Sequence, residues 1–262
     1  MKTPYTKGEQ PIYKACVLGL IAGLLFSGVL GCSSVRPIVP PTSESVYAAL
    51  QGLAAQYQRV PPVLTLTADV SAPGIPFPVQ CRAEIVERDS LRMELWGPLG
   101  LAMGLLRLTR SEFQFYDILN NTLIEGHPRP ELIAQLTGIS VPHELLLDLL
   151  RQIPLLPDSV PNFIWDAEKS YLTLSNGQGI RATFRLPQWE LAVYEIHSGA
   201  GSRVRAHFTN WIHHPQPYAE QVLVETPRGA FSLRIREWTY SQLPSDSFLL
   251  NIPPNATRVV LE

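Results

Sequence analysis

The chain has 262 residues, 45% hydrophobic and 17% charged, with Lys+Arg 21 against Asp+Glu 23 and a formal charge of -2. That apolar fraction excludes a wholly disordered chain, the charge balance leaves no basic footprint for nucleic acid, and 3 Cys exclude a disulfide-dense scaffold. The 24 Pro are about twice the usual share of roughly 5%, which favours short elements joined by many turns.

Met1 to Lys14 carries Lys2, Lys7 and Lys14 against one acid, Glu9, and Ala15 to Gly31 then runs without a charge. This is the positive n-region and apolar h-region of an export signal. The run is marginal for a membrane span, which needs about 20 apolar residues, and Gly19, Gly23, Ser27 and Gly28 weaken it further. It ends Val29-Leu30-Gly31-Cys32, followed by Ser33-Ser34.

That tetrapeptide resembles the lipobox of bacterial lipoproteins. The resemblance implies that a diacylglycerol is attached to the Cys32 thiol, that the chain is cleaved before Cys32, and that the freed amine is acylated. These covalent lipids stand in place of any cofactor. Ser33 after the lipidated residue implies the outer membrane, with the protein on its periplasmic side. The alternative is an uncleaved anchor helix with an incidental cysteine. The expected organisation is therefore a signal over 1-31, a lipidated cysteine with a Pro-rich tether over 32-42, and one folded domain over 43-262.

In the folded part, Thr42-Ser43-Glu44 opens a helix with a capping residue and an early acid. Val46, Leu50, Leu53, Tyr57 and Val60 recur at helical spacing until Pro61-Pro62 stops it. Strict alternation follows. Leu64, Leu66, Ala68 and Val70 share one face, as do Val79, Cys81, Ala83 and Ile85, then Leu91, Met93 and Leu95. Ile180 to Leu186, Val204 to Phe208, and Leu233 to Ile235 repeat the pattern, with turn signals at Asp89-Ser90, Asn120-Asn121, Asn176-Gly177, Gly199-Ala200-Gly201 and Arg228-Gly229. About ten strands, wet on one face and apolar on the other, predict an antiparallel sheet that curls around something.

Residues 128 to 157 interrupt this rhythm. Pro130, Leu132, Ile133 and Leu136 up to Gly138 predict a short helix. Pro142 begins another, with Leu145, Leu146, Leu149, Leu150 and Ile153, closed by Pro154 and Pro157. So many leucines predict that both pieces pack over the apolar face of the sheet.

Several motifs carry a further resemblance. Glu131 to Pro157, with Leu136-Thr137-Gly138, Pro142 and a leucine-rich helix ending at proline, is similar to the helical segment of the outer-membrane lipoprotein receptor family LolB. Leu95-Trp96-Gly97-Pro98-Leu99-Gly100 resembles that family's strand ending in Pro-Leu-Gly. Phe248 to Ala256 resembles the closing strand of LolA-type periplasmic carriers. The resemblance covers most of residues 45 to 260 and implies a mainly β (α+β) fold. In it, a strongly curved antiparallel sheet forms an unclosed β-barrel wrapped around and lidded by short helices.

It also implies an apolar cavity for acyl chains. Leu64, Leu66, Ala83, Ile85, Leu91, Met93, Leu95, Phe113 and Phe115 would line it, and Leu132, Leu136, Leu146, Leu149 and Leu150 would lid it. The plain alternative is that these side chains fill a solid core. Leu99-Gly100-Leu101-Ala102-Met103-Gly104 is apolar where polar turn residues are expected. In LolB-like proteins a leucine of this loop helps insert acyl chains into the membrane, and Leu99 matches by position, with Leu101 second. Otherwise the stretch is a buried strand continuing through Leu105 and Leu108. The implied partners are membrane lipid and lipoprotein acyl chains handed over by a periplasmic carrier, with the protein a monomer. The competing reading keeps the fold but makes it a structural or interaction module of an envelope complex.

No signature points to catalysis. His213 and His214 are adjacent, so on a strand they face opposite ways and cannot share a metal ion. No H-x-x-x-H, C-x-x-C or G-x-S-x-G pattern occurs. Glu84, Glu87 and Asp89 straddle a strand end as solvated turn charges. Arg203, Arg205, Arg234 and Arg236 form a ladder expected to pair with neighbouring acids, and Trp211 and Trp238 are expected as core or rim aromatics.

Overall fold

In a computed structural model, the structure describes residues 40–72, 77–129, 131–132, 143–154, 162–177, 179–197, 203–213, 216–227, 229–242 and 248–261. The helix expected after Thr42 is α1 (Ser43–Arg59). Its cap is the Thr42 hydroxyl, which accepts from the Ser45 N–H at 3.2 Å. Val46 and Leu50 are buried, and Leu53 packs against the same core. The helix stops before Pro61-Pro62, which cannot supply the N–H groups of another turn.

The strands are β1 (Val63–Ser71), β2 (Val79–Val86), β3 (Ser90–Trp96), β4 (Ala102–Leu108), β5 (Phe113–Asp117) and β6 (Thr122–Gly126). After α2 (His143–Arg151) come β7 (Asn162–Asp166), β8 (Tyr171–Ser175), β9 (Ile180–Arg185), β10 (Glu190–His197), β11 (Arg203–Ile212), β12 (Tyr218–Thr226), β13 (Gly229–Ser241) and β14 (Thr257–Leu261). All belong to one sheet ordered β14-β6-β5-β4-β3-β2-β1-β13-β12-β11-β10-β9-β8-β7. The two ends of this order, β14 and β7, do not pair with each other, so the barrel is unclosed. A sheet well beyond about ten strands must curl, and this one curls around α1 and α2.

The long-range closure is β1 against β13, where Leu64 faces Tyr240 and Val70 faces Leu233. A bulge between Thr67 and Ala68 bends that seam and strengthens its local twist. Inward residues of β1 and β2, including Leu64, Leu66, Ala83 and Ile85, meet Val46 and Leu50 of α1 and Leu147 of α2 in one continuous core. Burial of the leucine, isoleucine and valine side chains among them, each about 1.5–3 kcal/mol, is what holds the curl.

Three expectations need correction. Fourteen strands form among the described residues rather than about ten, because β5, β6, β7, β8 and β14 have only five residues each. Five residues hold too few alternations to stand out from turns. The sheet is not wholly antiparallel, since β14 runs parallel to β6, with Val259 opposite Ile124. Phe248 to Ala256 is not the closing strand either: Pro253 and Pro254 cannot donate to a ladder, and pairing begins at Thr257.

Candidate functional site

At one end of the sheet the core gives way to a cavity of about 360 Å³. That lies within the roughly 300–1,000 Å³ typical of ligand pockets. Its walls are Leu91, Met93 and Leu95 of β3, Met103 and Leu106 of β4, Phe115 of β5, and Phe231 and Leu233 of β13, with Val70, Ala72 and Val79 alongside. Leu146, Leu149 and Leu150 of α2 cover it. These positions follow the spacing of an amphipathic helix, so one face of α2 serves both as core and as lid. Asp117 is the one charged side chain lining it among the described residues, and it is occupied: it accepts from the backbone and side-chain amides of Asn120 at 3.1 and 2.7 Å.

The residues expected around such a space divide. Leu91, Met93, Leu95, Phe115, Leu146, Leu149 and Leu150 line the cavity. Leu64, Leu66, Ala83, Ile85 and Phe113 do not; they lie in the close-packed core, as does Leu132. The division runs along the strands: the packed residues lie where Val46, Leu50 and Leu147 fill the concave side, whereas Val70, Val79, Leu95, Met103 and Phe231 stand at the strand ends toward the cavity. Leu136 and Cys32 lie outside the described residues. Met103 escapes alternation because the β3–β4 register shifts between Leu95 and Trp96 and leaves it between the paired residues Ala102 and Gly104, whereas Phe231 and Ala72 merely extend the alternation of Leu233 to Ile235 and Ala68 to Val70 by one step.

Gly104 shapes one wall. A Cβ at this position would come within 2.9 Å of the Phe115 ring. Its absence lets that ring cross β4 and close the cavity from the side.

The connection from β3 to β4 is a tight projection. Pro98–Gly100 makes a single turn of 3-10 helix, and the Gly97 N–H donates to the Leu101 carbonyl at 2.8 Å, closing the base. Leu99 sits at its tip, fully exposed and in the left-handed region (φ 60, ψ 19). Gly100 follows at φ +75, where a side chain would be strained. Leu101 is 58% exposed. The strand resumes at Ala102, so the projecting apolar loop is shorter than 99–104: Met103 turns into the cavity and Gly104 packs under Phe115. Neither burial nor backbone preference accounts for leucine at position 99.

Leu119, on the neighbouring β5–β6 turn, is also 58% exposed and lines the cavity mouth. The Ile118 N–H donates to the Met103 carbonyl at 3.0 Å and ties this turn to the start of β4. Leu99, Leu101 and Leu119 thus crown the same end of the sheet as the cavity.

Another face of the lid helix is held by charge. Arg88, on the turn after β2, bonds both carboxylate oxygens of the buried Asp148. Burial raises the Asp148 carboxyl above its ordinary value even though Arg88 pulls it down. The arginine ladder is paired as expected: Arg203 and Arg205 with Glu195, Arg234 with Glu220, and Arg236 with Asp69. Trp238 stacks on Tyr218 at 5.2 Å, and Trp211 packs against the core. His213 pairs with Glu190 at 3.2 Å. Among the described residues no three His, Cys, Asp or Glu side chains come together to hold a metal ion, and no described helix is long and apolar enough to cross a membrane.

No protein-family model matches the chain, and no curated protein matches its sequence. Among solved structures it is similar to a domain provisionally described as an outer membrane lipoprotein-sorting protein domain, from Vibrio parahaemolyticus. The TM-score is 0.51 at 11% identity, over 79% of this chain and 97% of that one. It is also similar to a LolA superfamily protein from Nitrosomonas europaea, with TM-score 0.48 at 10% identity over 77% and 97% of the two chains. At such identities the likeness is one of fold. The class so defined is the curved, unclosed sheet around short helices found in the lipoprotein-sorting domain. The fold that the residue resemblance implied is the fold observed.

Proposed function

We propose that the protein is a lipid-anchored, non-enzymatic acyl-chain carrier or receptor of the bacterial envelope. In this reading Cys32 carries the anchoring diacylglycerol and N-acyl chain, and the domain works on the periplasmic side of the outer membrane. The cavity shelters a hydrocarbon chain from a lipoprotein or another lipid, delivered by a periplasmic carrier. The observation that carries the reading is the juxtaposition of an apolar cavity with an exposed apolar tip at one end of the sheet.

Moving an acyl chain through water exposes about 0.8 kcal/mol of unfavourable surface per methylene. A cavity lined by Leu91, Met93, Phe115 and Leu149 replaces that water with apolar contacts. No covalent step is needed: the chain moves according to its relative affinity for cavity and bilayer. Leu99, Leu101 and Leu119 would dip into the headgroup region and bring the cavity mouth to the membrane, so that the chain leaves without crossing water.

The test uses the Pro40–Glu262 unit, which is compact by itself, and a fluorescent fatty acid. Saturable binding is expected, weakened at least tenfold by Met93→Trp, which fills the cavity. Leu99→Glu should leave this binding intact while slowing transfer of the bound chain to vesicles. Binding no stronger than to an unrelated β-protein would leave the competing reading, an envelope interaction module with the same fold. That reading has its own support in the solid packing around Leu64, Leu66 and Ile85.

A further inference from the structure

A second cavity, of about 270 Å³, lies at the other end of the sheet. It is bounded by the last turn of α1 and the C-terminal end of α2, and by β10, the end of β11 and the end of β13. Its chemistry is unlike that of the first. Arg151, Trp211 and Gln216 line it, and each has a buried polar atom with no hydrogen-bond partner among the described residues: Arg151 Nε, Trp211 Nε1 and Gln216 Oε1. Two are donors and one is an acceptor. Buried polar atoms without partners are costly, and three of them belong to residues that line this one cavity, which makes it a place where a polar ligand would be satisfied.

The charge balance gives the sign of that ligand. Arg151 is only 7% exposed. Burial lowers its tendency to hold a proton, opposed by Tyr240, Asp148 and Glu87 and reinforced by Arg88. Asp148 is already engaged by Arg88, Glu87 stands in solvent on the β2–β3 turn, and Glu190 is taken by Arg185 and His213. Burial also raises the phenols of Tyr57 and Tyr240, so neither supplies a negative charge at neutral pH. Among the described residues, one buried guanidinium is left without a counter-ion of its own. The walls are fixed: Gln152, at the end of α2, clamps Ala219 of β12 by donating to its carbonyl at 3.0 Å and accepting from its N–H at 2.6 Å. Tyr57 and Trp189 add flat apolar surface.

We infer that this cavity binds a small, singly charged organic oxyanion, a carboxylate or phosphodiester, held by Arg151 and Trp211 with its body against Tyr57 and Trp189. A guanidinium and an indole N–H match two oxygens of such a group, and the Gln216 oxygen accepts from a donor on the same ligand. This site is separate from the apolar cavity and does not depend on the carrier reading.

The test is calorimetric titration of the full chain in neutral detergent. Benzoate represents a free carboxylate, glycerophosphoglycerol represents a phospholipid headgroup without acyl chains, and benzamide is the uncharged match to benzoate. Saturable binding of either anion is expected, at least tenfold tighter than benzamide and weakened tenfold or more in Arg151→Gln. Trp211→Phe, which keeps a ring but removes the N–H, should weaken it about threefold, and it decides the matter should Arg151→Gln not fold. Benzoate alone identifies a free carboxylate as the ligand class, and glycerophosphoglycerol alone a lipid headgroup. Binding of neither anion, equal binding of benzamide, or binding unchanged in both variants overturns the site.

Discussion

Arg88 and Asp148 meet across 60 residues of sequence, with the guanidinium Nε donating to the carboxylate at 2.5 Å and a second nitrogen bonding the other oxygen. One residue lies on the turn that follows β2, and the other sits in the middle of α2 between leucines that face the apolar cavity. The pair therefore fixes the lid helix to the sheet through one two-pronged contact. Asp148 is buried and Arg88 about half-exposed, so the contact orients α2 more than it stabilises the fold.

Removing Arg88 leaves a buried carboxylate with one partner fewer. Arg88→Ala should cost about 1–3 kcal/mol at neutral pH, measured by urea unfolding. The Asp148 carboxyl titrates above its ordinary value in the folded protein. A raised carboxyl contributes stability below its unfolded pKa, and that stability is lost as pH rises through the folded value. Without Arg88 the folded value climbs further, so the cost should shrink as pH falls through the acid range. A cost equal at pH 7 and pH 4 would show that the pair does not govern α2.

Leu99 combines full exposure with left-handed backbone. Asparagine accepts that conformation more readily than leucine, whose cost there is roughly 1–2 kcal/mol. Leu99→Asn should therefore unfold at equal or slightly higher urea concentration, by up to about 1 kcal/mol, while its binding to lipid vesicles falls. A variant that is less stable than the parent would mean the side chain is held by packing. Undiminished vesicle binding would remove the tip from the membrane contact.

Cys81 is fully buried between β1 and β3, and burial pushes its thiol up to about 11. The thiolate is the reactive form, so in the Pro40–Glu262 unit, whose one cysteine is Cys81, an aromatic disulfide reagent should leave native protein unmodified at pH 8 and react within seconds in urea. The same shift sets an alkaline limit. The unfolded thiol ionises near its ordinary value of 9.0, the folded one does not, and stability should fall as pH rises between about 9 and about 11. Cys81→Ala should lose that part of the alkaline slope. Rapid labelling of folded protein at pH 8 would contradict the burial.

Some of the molecule was legible in one dimension. Alternation at Leu64 to Val70, Val79 to Ile85 and Leu91 to Leu95 names inward faces because a strand has period two. Thr42 and Pro61-Pro62 mark both ends of α1 because capping and the missing proline N–H are local effects. The leucines at 146, 149 and 150 announce a lid by the same reasoning. Five-residue strands such as β7 and β8 escaped it, as did the parallel pairing of β14 with β6, which depends on a partner more than a hundred residues away.

Which apolar residues border empty space was not a local matter at all. Ile85 and Met93 sit on equivalent faces of paired strands, Ile85 opposite Leu91 and Met93 opposite Ala83, yet one is packed solid and the other lines the cavity. Hydrophobic period records only which side of the sheet a residue faces, a property of its own backbone. Whether that side is filled depends on where α1 and α2 come to rest against the curl. Their position is fixed by contacts such as Arg88 with Asp148 and Gln152 with Ala219, which exist only once the chain has folded.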